Sequence, residues 1–149
     1  MNLDGLFDTA ERARTFALAG NATITLVSRA SGVRFTFRIK CPTDSEGQRD
    51  GSIHFVSLLR GTDNENDFSY IGYIRRGVFF HGGTKAKVSI DGASVKAFMW
   101  AWKAMQQDII PEKLEIWHEG RCGRCGRKLT VPSSVAAGLG PECAEKGLS

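Results

Sequence analysis

The chain has no apolar run approaching the roughly 20 residues that a membrane-spanning helix needs. Its start, Met1-Asn2-Leu3-Asp4-Gly5-Leu6-Phe7-Asp8, has neither the basic n-region nor the apolar h-region of a secretory signal. Proline is scarce, at 4 residues, and no internal repeat, low-complexity run or flexible linker is present. These absences exclude a membrane protein, a secreted disulfide scaffold and a collagen- or linker-like chain. Familiar chemical signatures are missing as well. Gly82-Gly83-Thr84-Lys85 lacks the spacing of a phosphate loop, and neither H-E-x-x-H nor G-x-S-x-G occurs. The acidic run Asp63-Asn64-Glu65-Asn66-Asp67 has Phe68 where a calcium loop requires glycine and Ile74 where its bidentate glutamate belongs. It reads as a solvated loop.

What is present fits one globular domain with, at most, a small appendage. The 149 residues are 42% hydrophobic and 24% charged, and 20 Lys+Arg against 16 Asp+Glu leave a formal charge of +4. Residues 4–19 read as a short helix stopped by Gly20. Ala22, Ile24 and Leu26 then alternate with Thr23 and Thr25. After a turn at 29–32, Val33, Phe35, Phe37 and Ile39 alternate with Arg34, Thr36, Arg38 and Lys40, the clearest period of two in the chain. These two strands predict a hairpin. Further strands are expected over 52–60, 68–75 and 77–80, with 84–90 a short strand or an extended loop. Asp91-Gly92-Ala93-Ser94 offers capping side chains for a helix running to about Gln107. At about 100° per residue, Val95, Phe98, Met99, Trp102 and Met105 share its apolar face, while Lys96, Lys103 and Gln107 share another. Lys113–Trp117 reads as a last strand. The body, 1–117, is therefore α+β: an antiparallel sheet with a packed helix.

The remaining segment, 118–149, carries three of the four cysteines. Cys122-x-x-Cys125-Gly126 has the spacing of a zinc knuckle, because two intervening residues let both thiolates reach one ion. Cys143 follows Gly140-Pro141, and proline suits the first helical position, so this cysteine is expected in the first turn of a short helix. A knuckle followed by a ligand at a helix start resembles a treble-clef zinc finger. A structural Zn²⁺ takes four ligands, and His118, four residues before Cys122, is the favoured fourth. Cys41 is the alternative within the body; Glu119, Glu142 or a water are others. Without a secretory signal a reducing cytoplasm is the expected compartment, where clustered thiols more often hold metal than form disulfides. Binding Zn²⁺ through three thiolates would bring the formal charge from +4 to +3.

Residues 118–144, H-E-G-R-C-G-R-C-G-R-K-L-T-V-P-S-S-V through G-L-G-P-E-C-A, resemble the C-terminal signature of a bacteriophage and prophage protein family of unknown function. The likeness extends more softly upstream, through Ala22–Ser28, Gly32–Thr36, Phe55–Leu59 and Ser94–Phe98 with Trp100, to cover about residues 16–146. It implies phage origin, a metal-binding tail and the host-cell cytoplasm. It implies no activity and no catalytic residues.

Two basic features suit nucleic acid. Arg121, Arg124, Arg127 and Lys128 surround the knuckle, opposed by Glu119. Arg34, Arg38 and Lys40 share one strand face and can meet a phosphate backbone, unless the N-terminal helix covers them. Trp100, flanked by Lys96 and Lys103, can stack a base, unless it packs against another element. The leading expectation is a non-enzymatic zinc protein binding nucleic acid. A protein-directed inhibitor of a host defence system, such as an anti-CRISPR, is the second. An enzyme using a sheet pocket near His54 or His81 is the third.

Overall fold

The alternation of Phe35, Phe37 and Ile39 against Arg34, Thr36, Arg38 and Lys40 becomes one strand of a computed structural model that describes residues 5–43, 45–47, 51–63 and 66–119. In chain order the elements are α1 (Ala10–Ala17), β1 (Asn21–Ser28), β2 (Arg34–Lys40), β3 (Ile53–Leu59), β4 (Phe68–Arg75), β5 (Val78–His81), α2 (Ala93–Gln106) and β6 (Leu114–His118). A single 3-10 turn, Gly83–Lys85, lies in the segment expected as strand or loop. Strands β1 to β5 form a meander, and α2 carries the chain back so that β6 pairs antiparallel with β1. The order is β5-β4-β3-β2-β1-β6, all antiparallel. The α+β expectation holds, and the predicted hairpin is β1–β2, with Asn21 opposite Lys40 and Val27 opposite Arg34.

Both helices pack on one face of this sheet. Ile24, Phe37, Ile39, Val56, Leu58, Ile74 and Ile116 meet Phe16 of α1 and Val95, Phe98 and Trp102 of α2 in one core. Phe98 sits at its centre, with ring centroids 4.9 Å from Phe37, 4.9 Å from Phe79 and 6.1 Å from Trp102. No helix among the described residues is long and apolar enough to cross a membrane.

Three local expectations are corrected. The first helix starts at Ala10, because Thr9 caps it: its hydroxyl accepts from the Arg12 amide at 3.2 Å. Residues 5–7 run instead along the outer edge of β6. The Phe7 amide donates to the Ile116 carbonyl at 2.9 Å and the His118 amide to the Gly5 carbonyl at 2.8 Å. Glycine is required there, since a Cβ on residue 5 would collide with the His118 carbonyl oxygen. On α2, Met99 is exposed, and Ser94, Ala101 and Ala104 lie on the buried side with Phe98 and Met105. The buried arc is turned toward α1, whose own buried positions are mostly alanine, so small side chains let the two helices approach. The N-cap of α2 is Gly92, without a capping side-chain bond.

A bulge lies between β3 and β4. Val56 faces Gly72 and Ser57 faces Tyr70, which leaves Ile71 as the extra residue. Opposite the bulge, β5 crosses close to Gly72: a Cβ there would strike the Phe80 carbonyl oxygen, and Phe79 ring carbons would lie 2.7 and 2.8 Å away. Gly72→Ala is therefore expected to cost about 1–3 kcal/mol, the usual penalty of overpacking, as a lowered urea midpoint.

Candidate nucleic-acid interface

The bulge decides which side chains share the outer face of the sheet. Before it, Phe68 and Tyr70 point away from the helices; after it, Tyr73 and Arg75 do so. Their partners are Leu59, Ser57, Phe55 and Ile53. On β2 the same face carries Arg34, Thr36, Arg38 and Lys40, because Phe37 and Ile39 are in the core. Both described helices lie on the other side, so neither α1 nor α2 covers this basic face.

The registers line these residues up in rows. Lys40 faces Phe55, Phe55 faces Tyr73 and Tyr73 faces Phe80. In the next row, Thr23 faces Arg38, Arg38 faces Ser57 and Ser57 faces Tyr70. Phe55 is 39% exposed and Phe80 45%. The Tyr73 and Phe80 rings stack with centroids 5.3 Å apart, and Phe55 meets Tyr70 edge-on at 6.2 Å. The Arg38 guanidinium lies 4.0 Å over the Phe68 ring, and that of Arg75 lies 5.8 Å from the Tyr73 centroid. Burial, together with the neighbouring Tyr73, raises the Tyr70 hydroxyl above its usual pKa, so it stays a donor into more alkaline solution.

The charge that the strands place on this face is mostly positive. The six strands contain Arg34, Arg38, Lys40 and Arg75, all on the outer face, and one acid, Glu115. Glu115 is already engaged: it accepts from Arg29 Nε at 3.1 Å and from Trp117 Nε1 at 3.0 Å. Sequence reasoning found Arg34, Arg38 and Lys40 but missed Arg75 and the aromatic row. The signal was the change of alternation phase across Ile71-Gly72, which brings aromatics at 68, 70 and 73 onto one side.

Trp100 is 52% exposed. It projects from α2, on the side of the sheet opposite Arg34, Arg38 and Lys40, so the two features form separate surfaces. Beside it, Met99, Trp102, Lys103 and Gln106 of α2 line a cleft of about 330 Å³ with Gly77, Val78 and Phe79.

Of the fourth-ligand candidates among the described residues, His118 and Cys41 are buried and Glu119 is exposed. His118 closes β6, with its ring centroid 5.1 Å from Phe7 and 5.3 Å from Phe16. Cys41 follows β2, and its thiol donates to the Pro42 carbonyl at 3.6 Å. His118 faces Ile24, and Ile24 faces Phe37, four residues before Cys41. At about 3.3 Å per residue and 4.8 Å per strand, the two backbones are separated by about 13 Å along the strands and about 10 Å across them. Zinc bonds of about 2.0–2.3 Å cannot bridge that, so the candidates exclude each other. Cys122, Cys125, Cys143, Glu142, Arg121, Arg124, Arg127 and Lys128 lie outside the described residues. Among the described residues no group of three or more metal-ligating side chains gathers.

The two other histidines are tied to backbone. His54 Nε2 lies 3.1 Å from the Leu18 carbonyl oxygen, beside a cavity of about 230 Å³ lined in part by Ser52 and Arg76. His81 donates from Nε2 to the Val88 carbonyl at 2.8 Å and accepts at Nδ1 from the Gly83 amide at 3.1 Å, so both ring nitrogens are engaged.

No curated protein and no solved structure matches the chain. Residues 116–146, the segment that carries His118, Cys122, Cys125 and Cys143, match a family of unknown function (DUF6011).

Proposed function

We propose that this chain is a non-catalytic, phage-encoded zinc protein that binds nucleic acid through backbone contacts. The observation that carries the reading is the outer sheet face, to which the strands contribute Arg34, Arg38, Lys40 and Arg75 and a carboxylate, Glu115, already engaged by Arg29. Phosphates are the complementary partner, and each one neutralised releases counterions. The basic residues around the knuckle, Arg121, Arg124, Arg127 and Lys128, would extend the interface, with Zn²⁺ held by His118, Cys122, Cys125 and Cys143 as a closed structural site. Such an ion supplies folding energy to a segment too small to bury a core of its own.

The test is the salt dependence of binding. Arg34→Ala with Lys40→Ala, both on exposed positions of β2, should leave stability within about 0.5 kcal/mol. The slope of log affinity against log salt should fall by about 0.7–0.9 for each phosphate that is no longer neutralised. Absence of any binding at low salt would remove this reading. A second reading, a protein-directed inhibitor of a host defence system, draws on exposed Met99 and Trp100 beside the α2 cleft. Stoichiometric capture of one host protein, abolished by Trp100→Ala and untouched by the β2 substitutions, would favour it.

A further inference from the structure

We propose that the outer sheet face is a stacking platform for single-stranded nucleic acid, with the exposed rings of Phe55 and Phe80 receiving bases, Tyr73 backing Phe80 between them, and Arg34, Lys40 and Arg75 holding phosphates. This rests on the nucleic-acid reading above and narrows it from the backbone to unpaired bases. The three rings occupy directly opposed positions on β3, β4 and β5, next to Lys40 on β2. With strands about 4.8 Å apart, they form a track perpendicular to the strands, and Phe55 and Phe80 stand about 10 Å from each other. Phe55 is exposed although β3 is an interior strand, and Phe80 is exposed on the edge strand.

An exposed ring on a flat face offers a π-surface that any base can use, so the stacking tolerates sequence. A duplex keeps its bases stacked inside and presents mainly phosphates to such a face. The rings therefore discriminate between single and double strands, whereas the cations serve both. Phosphate complementarity also orients the strand. Lys40 begins the aromatic row and Arg75 borders Tyr73, so the backbone has a cation at the β2 side and another at β4.

The experiment is fluorescence anisotropy of the full chain with labelled oligo-dT, oligo-rU and a duplex of the same length, at low and raised salt. Single strands should bind more tightly than the duplex, and the stronger of the two homopolymers tells DNA from RNA. Phe55→Leu and Phe80→Leu keep apolar bulk and remove the ring. Each should weaken single-strand binding roughly 5- to 100-fold while duplex binding and the salt slope stay as in the wild type. Phe80→Tyr, which keeps a π-face, should retain wild-type binding. Phe80 lies on a short edge strand, so this pair tests stacking even if Phe55→Leu unfolds the protein. Equal affinity for duplex and single strands, or leucine variants that bind single strands as the wild type does, overturns the stacking platform and leaves the broader reading standing. No binding to any of the three probes at low salt overturns both.

Discussion

Phe98→Ala is expected to lower the unfolding free energy by about 3–5 kcal/mol, a large share of the total for a domain of this size. Phe98 is fully buried and bridges both layers of the fold. Its ring meets Phe37 of β2 and Phe79 of β5 below it, and Trp102 one turn along its own helix. Those neighbours are themselves large and tied elsewhere. Trp102 donates from Nε1 to the Gly77 carbonyl at 2.9 Å, so it cannot swing into the vacated space without breaking that bond. The cavity therefore stays open, which places the loss toward the upper end of the range. Met99→Ala, one residue further on, is the control. Its side chain is 39% exposed, and the substitution should cost under about 1 kcal/mol. Urea unfolding of the two variants measures the difference directly.

That contrast also shows how far the sequence could be read. Periodicity alone put Met99 and Phe98 on one apolar stripe, because they are neighbours around the helix and both hydrophobic. What separates them is α1, whose packing turns the buried arc toward Ser94 and Ala101. Small residues carry no strong hydropathy signal, so the arc could not be located from α2 by itself. The strands were more legible, since alternation on β1 and β2 is a property of each strand alone. The bulge at Ile71 was not legible: a one-residue phase change in F-S-Y-I-G-Y-I-R looks like a weak pattern until β3 is laid beside it. The same blindness hid the aromatic row, which exists only across strands. Of the basic residues, Arg34, Arg38 and Lys40 were found because they share one strand, and Arg75 was missed because it does not. The knuckle residues, by contrast, declare themselves through spacing, which needs no tertiary partner.

The second large effect concerns the proposed zinc site. Metal analysis of the purified chain should return about one Zn per molecule, and Cys122→Ser, Cys125→Ser or Cys143→Ser should each release it. The histidine needs a more careful substitution. His118 packs its ring against Phe7 and Phe16, so alanine would open a cavity and destabilise the sheet whether or not the imidazole binds metal. His118→Phe keeps a ring of similar shape and removes both nitrogens. Changes in the groups that merely orient a ligand cost about 10–100-fold in metal affinity, so loss of the ligand itself should exceed 100-fold. Urea unfolding of the same variant, read beside the metal affinity, separates loss of a ligand from loss of packing. Cys41→Ser should leave zinc affinity unchanged. Because the two positions are too far apart to share an ion, the opposite pattern would transfer the ligand wholly to Cys41.

The edge pairing of Gly5 with His118 has a consequence for how the protein is made. The two residues hydrogen-bond, yet more than a hundred positions of chain lie between them. During synthesis the β1–β5 meander can form from neighbours in sequence, whereas the outer side of β1 waits for β6 and the first residues wait longer still. Until then β1 shows an unpaired row of amides and carbonyls, the kind of edge that templates pairing between chains. Closure of the sheet is thus a late, long-range event. Substitutions at Gly5 or His118 should act chiefly by speeding unfolding, while those in the β1–β2 hairpin slow folding.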